Sequence, residues 1–382
     1  MNRLHIVIFM AAALAAIACT SREGAYDNGN GLIMIAGTYT DSLSRDIRRG
    51  IYTFRFDQHS GKSMPLDTFA MDNPSFLTLS EDGNTVYAVS EMPEENAAIY
   101  ALKLDRSNGR LQLLDAQRTG SANPCHVCVK GKMALVSNYT GGTLSLFPLN
   151  DDGSPAPVAA NYKGGTGGPD TIRQPVPHIH CSQPSPDGKY VFASDFSADR
   201  LLRLPMTPDG KGLMPADTAF AVEPDSGPRH FIFSPDGEHL YLLGELSGKV
   251  TVFRYDNGIL SHQQTVLADS AKGRGSADIH LSPDGRFLYT SNRIKEEGIA
   301  IFSVDENGKL TRIGYRHTAA HPRNFCITPN GKYLLVACRY GNVIQIFERD
   351  EKCGLPEECI GEIKLERPVC IRFVHQTTSS RV

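Results

Sequence analysis

The chain has 382 residues, 41% of them hydrophobic and 21% charged, a balance that suits a folded globular protein and excludes a disordered one. Its net charge of −3 offers no basic surface for nucleic acid or an acidic membrane. Tryptophan is absent, so no stack or cage can use indole, while 35 glycines and 23 prolines require many turns.

At the front, Arg3 precedes an apolar stretch from Leu4 to Ala18 broken only by His5. That is the length of a signal h-region and short for a bilayer span. It ends Ala16-Ile17-Ala18-Cys19, which resembles a bacterial lipobox, in which the cysteine is lipidated; an ordinary secretory signal with a chance cysteine is the alternative. The expected division is a lipoprotein-type signal peptide over 1–19, a flexible tether over 20–31, a folded domain over 32–375 and a disordered tail over 376–382. This places the domain at the cell envelope on the periplasmic side, touching membrane only through a lipid on Cys19. If the signal reading fails, the location is cytoplasmic.

From Leu32 onward one phrase recurs: an apolar run, a Ser-Pro-Asp-Gly turn or a variant of it, and a second apolar run. The turns are Ser80-Glu81-Asp82-Gly83, Ser185-Pro186-Asp187-Gly188, Ser234-Pro235-Asp236-Gly237, Ser282-Pro283-Asp284-Gly285 and Thr328-Pro329-Asn330-Gly331, with a degenerate copy at Val129-Lys130-Gly131. Steps between the Asp-equivalent positions are 48, 57, 49, 48 and 46 residues. Proline presets φ, and glycine accepts the positive φ that ends such a turn. Around Asp236 the repeat reads as four short strands: Arg229–Phe233, Leu240–Leu243, Val250–Tyr255 and a weaker one after Asp256-Asn257-Gly258. Four strands in a period near 48 residues is the pattern of a propeller blade. Six repeats begin between Asn73 and His321, and a further one lies at the front, in Leu32–Gly37 and Gly50–Phe56. The expected fold is an all-β, seven-bladed β-propeller of four-stranded antiparallel blades, with six or eight blades as alternatives. The last strand, Val369–Val374, is expected to join the first blade and close the ring, since it would otherwise leave an unpaired edge.

Cysteine usage adds little chemistry. Cys125 and Cys128 form a single C-x-x-C inside an alternating strand pattern, not a metal knuckle. Cys326, Cys338 and Cys370 read as small core residues, and Cys353 and Cys359 flank a turn where they could pair in an oxidising compartment. No metal and no cofactor is expected.

The repeat allows comparison across blades. Nine residues after each turn Asp, at the end of the second strand, stand Glu91, Tyr139, Phe196, Glu245, Arg293 and Arg339; one earlier is Asp195 in the fourth copy. Seven residues before the turn, at the start of the first strand, stand Ser75, His180, Arg229, Ala277 and Arg323, with His126 near the equivalent place in the third copy. These two positions share one mouth of the central channel. Mid-strand positions repeat as apolar residues, whereas the mouth positions differ and are mostly ionisable. An asymmetric small-molecule site on a symmetric scaffold requires that contrast.

Several phrases resemble those of the bacterial propeller-type 6-phosphogluconolactonases, relatives of the carboxymuconate lactonising enzymes. They are Ser137-Asn138-Tyr139-Thr140-Gly141-Gly142, Pro177-His178-Ile179-His180, Gly227-Pro228-Arg229-His230, Glu245-Leu246-Ser247, Ser291-Asn292-Arg293 and Pro322-Arg323. The resemblance implies hydrolysis of a sugar lactone to the open acid, with His178 or His180, Arg229 and Glu245 catalytic. Arg293, Arg323, His126, Tyr139 and Asp195 are the expected substrate-binding residues, and the expected partner is a small anionic lactone or sugar acid bound by a monomer. A histidine or glutamate can activate water, and arginine can meet the developing oxyanion or a phosphate. The two histidines stay open as alternatives. A non-catalytic sugar-acid-binding envelope propeller and a cycloisomerase acting on a dicarboxylic lactone are the competing functions. The implied phosphorylated substrate is cytoplasmic, which conflicts with an envelope address.

Overall fold

Each Ser-x-Asp-Gly turn closes its hairpin by the same four bonds. In the copy at Ser185, the serine hydroxyl donates to Asp187 Oδ1 at 2.6 Å and accepts from the Tyr190 N–H at 3.0 Å. Asp187 Oδ1 also accepts the Lys189 N–H, and the Gly188 N–H returns to the Ser185 carbonyl. Gly188 has φ +70°, a conformation that a Cβ disfavours. The turn therefore fixes which residues of the two flanking strands lie opposite one another.

A computed structural model describes residues 31–40, 49–209 and 211–374. Within them, 28 strands form seven four-stranded antiparallel sheets. The innermost strands of blades two to seven are β4 (Pro74–Leu79), β8 (Pro124–Lys130), β12 (Ile179–Pro184), β16 (Pro228–Phe233), β20 (Ser276–Leu281) and β24 (Pro322–Ile327). Blade one is built from both ends of the domain, in the order β28 (Pro368–Phe373), β1 (Gly31–Thr38), β2 (Gly50–Asp57) and β3 (Ser63–Ala70). The closing strand is thus the inner strand of blade one, and β28 packs between β24 and β4. Gly31, expected in the tether, already pairs with Asp57. The expected signal peptide with Cys19, the rest of the tether and the tail lie outside the described residues.

Burial follows position in the blade. The second strand of blade five, β17 (His239–Gly244), is buried at every residue, because other blades cover both of its faces. The outermost strand, β19 (Ile259–Leu267), is half exposed, which accounts for its weak signal in the sequence. Apolar side chains from adjacent blades interleave between the sheets, as Tyr241, Leu243 and Val252 of blade five do with Ile279, Leu288 and Phe302 of blade six. Tyrosine hydroxyls of the second strand also stitch blades together. Tyr87 donates to Gly153 O at 2.8 Å, Tyr241 to Gly308 O at 3.0 Å, Tyr289 to Gly354 O at 2.6 Å and Tyr333 to His59 O at 2.8 Å, each acceptor lying in the next blade. Cys353 and Cys359, which could have paired, are exposed and free.

Removing one such stitch leaves a buried carbonyl without a donor. Tyr241→Phe is expected to lower unfolding stability by about 1–3 kcal/mol in denaturant titration. Tyr100→Phe, at a half-buried tyrosine outside this set, should stay within about 0.5 kcal/mol.

Candidate active site

Two repeated backbone features build the channel mouth. The first is a β-bulge at the start of every inner strand. Pro228 pairs with Gly244 and His230 with Leu243, so Arg229 is skipped. The same slip skips Cys125, His180, Arg323 and Val369, and wider slips release Ser75 and Ala277. A bulge re-aims the side chain that it frees. The second feature is one hydrogen bond per blade, from the residue just past the second strand to the carbonyl just before the inner strand. It runs from the N–H of Tyr39, Glu91, Tyr139, Phe196, Glu245, Arg293 and Arg339 to Arg367, Asn73, Asn123, His178, Gly227, Gly275 and His321 respectively. The mouth is therefore two concentric seven-membered rings of side chains held by one backbone grammar.

Glu245 is the hub. Arg173 Nη2 bonds its Oε1 at 2.6 Å, Arg293 Nη2 lies 3.0 Å from the same oxygen, and Arg229 Nε lies 2.9 Å from Oε2 in ion-pair range but off the hydrogen-bond direction. Glu245, Arg229 and Arg293 are buried, whereas Arg173 is partly exposed. Burial alone would raise the Glu245 pKa, but the arginines overcome it and hold the carboxyl far below the usual range. Burial pulls Arg293 down to about 10, which still leaves it charged at neutral pH. Glu245 is thus a permanent anion that gathers guanidiniums, a poor acceptor for a proton in catalysis. This environment suits an anchor for the arginines better than the base that either it or a histidine could supply.

A second node lies across the mouth. Tyr39 donates to Glu91 Oε2 at 2.7 Å and accepts from Arg323 Nη2 at 2.8 Å, and the Arg339 guanidinium sits 4.3 Å from the Tyr39 ring centroid. Among these described residues, five guanidiniums thus face two carboxylates, an excess of three positive charges.

His178 is placed differently from His180. It precedes β12, and its Nδ1 lies 2.7 Å from the Tyr139 carbonyl, which can only accept, so Nδ1 carries the proton. Its ring stacks on Tyr139 at 4.1 Å and 3°. Burial lowers its pKa below 6.5, leaving it neutral, and no described residue bonds its Nε2. His180 is the bulged residue, buried in the wall with its Nδ1 3.8 Å from Cys125 Sγ. The bulge breaks the two-residue alternation of a regular strand, so the two rings meet Tyr139 from different directions, face and edge.

Two expected site residues lie away from this mouth. Asp195 is fully buried, accepting from Arg200 Nε at 3.0 Å and the Gly165 N–H at 2.8 Å, and ties the blade-four strand end to a loop. His126 lies one layer deeper in the channel, 4.5 Å from the Phe76 ring. The third hairpin is two residues shorter, with only Gly131 and Lys132 between the paired Lys130 and Met133, so counting back from the turn misses Cys125. Tyr39 and Arg173 are functional candidates that sequence reading missed. Arg173 comes from the loop before His178, which lies within the longest step of the repeat, 57 residues. Tyr39 follows β1, which has no preceding turn to count from.

The family profile described as "Lactonase, 7-bladed beta-propeller" matches residues 33–373. The chain belongs to this propeller lactonase family, related to the 6-phosphogluconolactonases. It is 38% identical over 343 residues to the 6-phosphogluconolactonase of Formosa agariphila, covering 86% of this chain and 96% of that one. A solved structure from Bacteroides uniformis is 54% identical with a TM-score of 0.87, covering 90% of this chain and 100% of its own. The periplasmic gluconolactonase of Pseudomonas aeruginosa is 32% identical with a TM-score of 0.84, covering 90% of this chain and 99% of that one.

Because Glu245 offsets three guanidiniums, Glu245→Ala is expected to destabilise the fold by about 3–5 kcal/mol, read by denaturant unfolding. Arg173→Ala, which removes only the partly exposed partner, should cost about 1 kcal/mol or less.

Proposed function

We propose that the protein opens a sugar lactone to its acid, using His178 as general base at an arginine-lined mouth. The observation that carries this reading is a neutral histidine whose tautomer is set by the Tyr139 carbonyl, leaving Nε2 for a water. That water attacks the lactone carbonyl as Nε2 takes its proton. The guanidiniums of Arg293, Arg229 and Arg173 meet the charge that develops on the carbonyl oxygen. Collapse breaks the ring C–O bond, His178 returns the proton to the departing alkoxide, the new carboxylic acid releases its own proton to solvent, and a carboxylate leaves a site that is already cationic. Glu245 keeps the arginines in place throughout.

The substrate we favour is an aldonolactone of the 6-phosphogluconolactone type. The excess charge suits a phosphate or a carboxylate, and bidentate guanidiniums suit both. The unphosphorylated lactone is the second reading, supported by the lipobox-like Cys19 and by the likeness to a periplasmic gluconolactonase. We place the mature protein at the cell envelope, anchored by a lipid on Cys19 and acting as a monomer, an address that goes with the unphosphorylated lactone; the phosphorylated substrate goes with the cytoplasmic alternative.

Hydrolysis of 6-phosphogluconolactone and of gluconolactone by the purified protein, corrected for spontaneous opening, tests the reading. At least one should turn over, and His178→Ala should lower kcat by roughly 10²–10⁴-fold. A His178→Ala enzyme as fast as wild type overturns the assignment. Since protonation removes the base, kcat should fall on an acid limb that lies below pH 6.5 and is missing from the variant. Mass determination of the mature N-terminus should find a lipidated Cys19, and an intact Met1 would move the protein to the cytoplasm.

A further inference from the structure

Below the mouth, the inner strands present a second layer that the lactonase reading does not use. It contains Phe76, His126, Cys181, His230, Asp278 and Asn324. Asp278 is buried with four groups directed at it: His230 Nδ1 at 2.8 Å, His280 Nε2 at 2.9 Å, Asn324 Nδ2 and the Phe325 N–H at 3.4 Å. A carboxylate that accepts from His230 Nδ1 fixes the proton there, so His230 Nε2 keeps its lone pair. That lone pair faces Arg229 Nη1 at 3.4 Å, and the same Nη1 donates to the Ala277 carbonyl. Arg229 Nε meanwhile lies against Glu245. One file of polar groups therefore runs down the channel, from Glu245 through Arg229 and His230 to Asp278.

We infer that His230 and Asp278 are positioning residues for the lactonase site: the carboxylate orients the imidazole so that it accepts from Arg229 and holds that guanidinium in the plane that Glu245 and the substrate share. This rests on the lactonase reading of the mouth. Two features separate it from ordinary packing. Arg229 is the bulged residue of its strand, so the ladder does not set its side chain; Glu245, the Ala277 carbonyl and the His230 imidazole below hold it between them. The groups around His230 also do not compete for the same lone pair. His126 and His180 meet its ring at 5.6 and 5.1 Å, Phe76 at 5.7 Å, and His280 bonds the other oxygen of Asp278. A metal does not explain the cluster, because no group of three or more His, Cys, Asp or Glu among the described residues is placed to hold one.

The isosteres make the idea testable in the full protein. Glutamine places its terminal group near Nε2 and can still accept from Arg229, whereas asparagine places it near Nδ1 and can only serve Asp278. His230→Asn is expected to raise both the KM for the lactone and the Kd for 6-phosphogluconate by about tenfold, the loss of one hydrogen bond to a charged group, while His230→Gln stays within about threefold of wild type. Equal effects of the two variants, with melting temperatures matched to wild type, overturn the proposal. If either variant fails to fold, nitrogen-15 NMR of His230 in the wild-type protein decides instead. A protonated Nδ1 with a bare Nε2 is expected, and the opposite tautomer overturns the proposal. Calorimetry and NMR need no turnover, so a wild-type protein that hydrolyses neither lactone would defeat the functional reading and leave these two readouts to judge the positioning role.

Discussion

A propeller stands or falls on closing its ring. Here β28 pairs with β1, with Ile371 opposite Ala36 and Phe373 opposite Met34, and so the end of the domain becomes the inner strand of the blade at its beginning. Every other inner strand packs on two neighbours, and without β28 both β4 and β24 would lose one. Closure also creates the site. Tyr39, at the end of β1, and Arg323, at the start of β24, are 284 residues apart yet share a hydrogen bond across the mouth.

Given a closed ring, symmetry has to be broken at the mouth without disturbing the blades. The bulge at each inner strand does this. The ladder resumes within one or two residues, so the apolar layers keep register, while the skipped position is free to carry serine, cysteine, histidine, arginine, alanine or valine. The scaffold and the chemistry are thereby separated. Leu240, Leu288 and Leu334 repeat because they pack the same space between blades, whereas Arg229 and Ala277 differ because nothing in the fold requires them to match.

Concentrating five guanidiniums in one mouth would be costly if they were left to repel one another below the surface. Glu245 resolves most of that by meeting three of them, and Glu91 with Tyr39 brings a second negative group near the others. Glu245 is committed to its arginines, which makes it a poor acceptor for a proton and turns attention to the histidines. His178 and His180 then divide by solvation. Both have pKa values pushed down by burial, but only His178 stands outside its strand, where the Tyr139 carbonyl assigns its tautomer.

Blade number, strand order within a blade and the two polar positions were legible in the amino-acid sequence, because turn chemistry and apolar alternation are local and recur from blade to blade. The count slipped at His126, where one hairpin is two residues shorter, and stopped short of Tyr39, whose blade is assembled from both ends of the domain. Arg173 was visible only as surplus length in one repeat. Which polar groups meet is a tertiary decision. A bulge turns Arg229 out of the ladder, ring closure brings Tyr39 to Arg323, and the fold gathers three arginines around the buried Glu245. None of these follows from local sequence, because each depends on charges and carbonyls contributed by blades far apart in the chain.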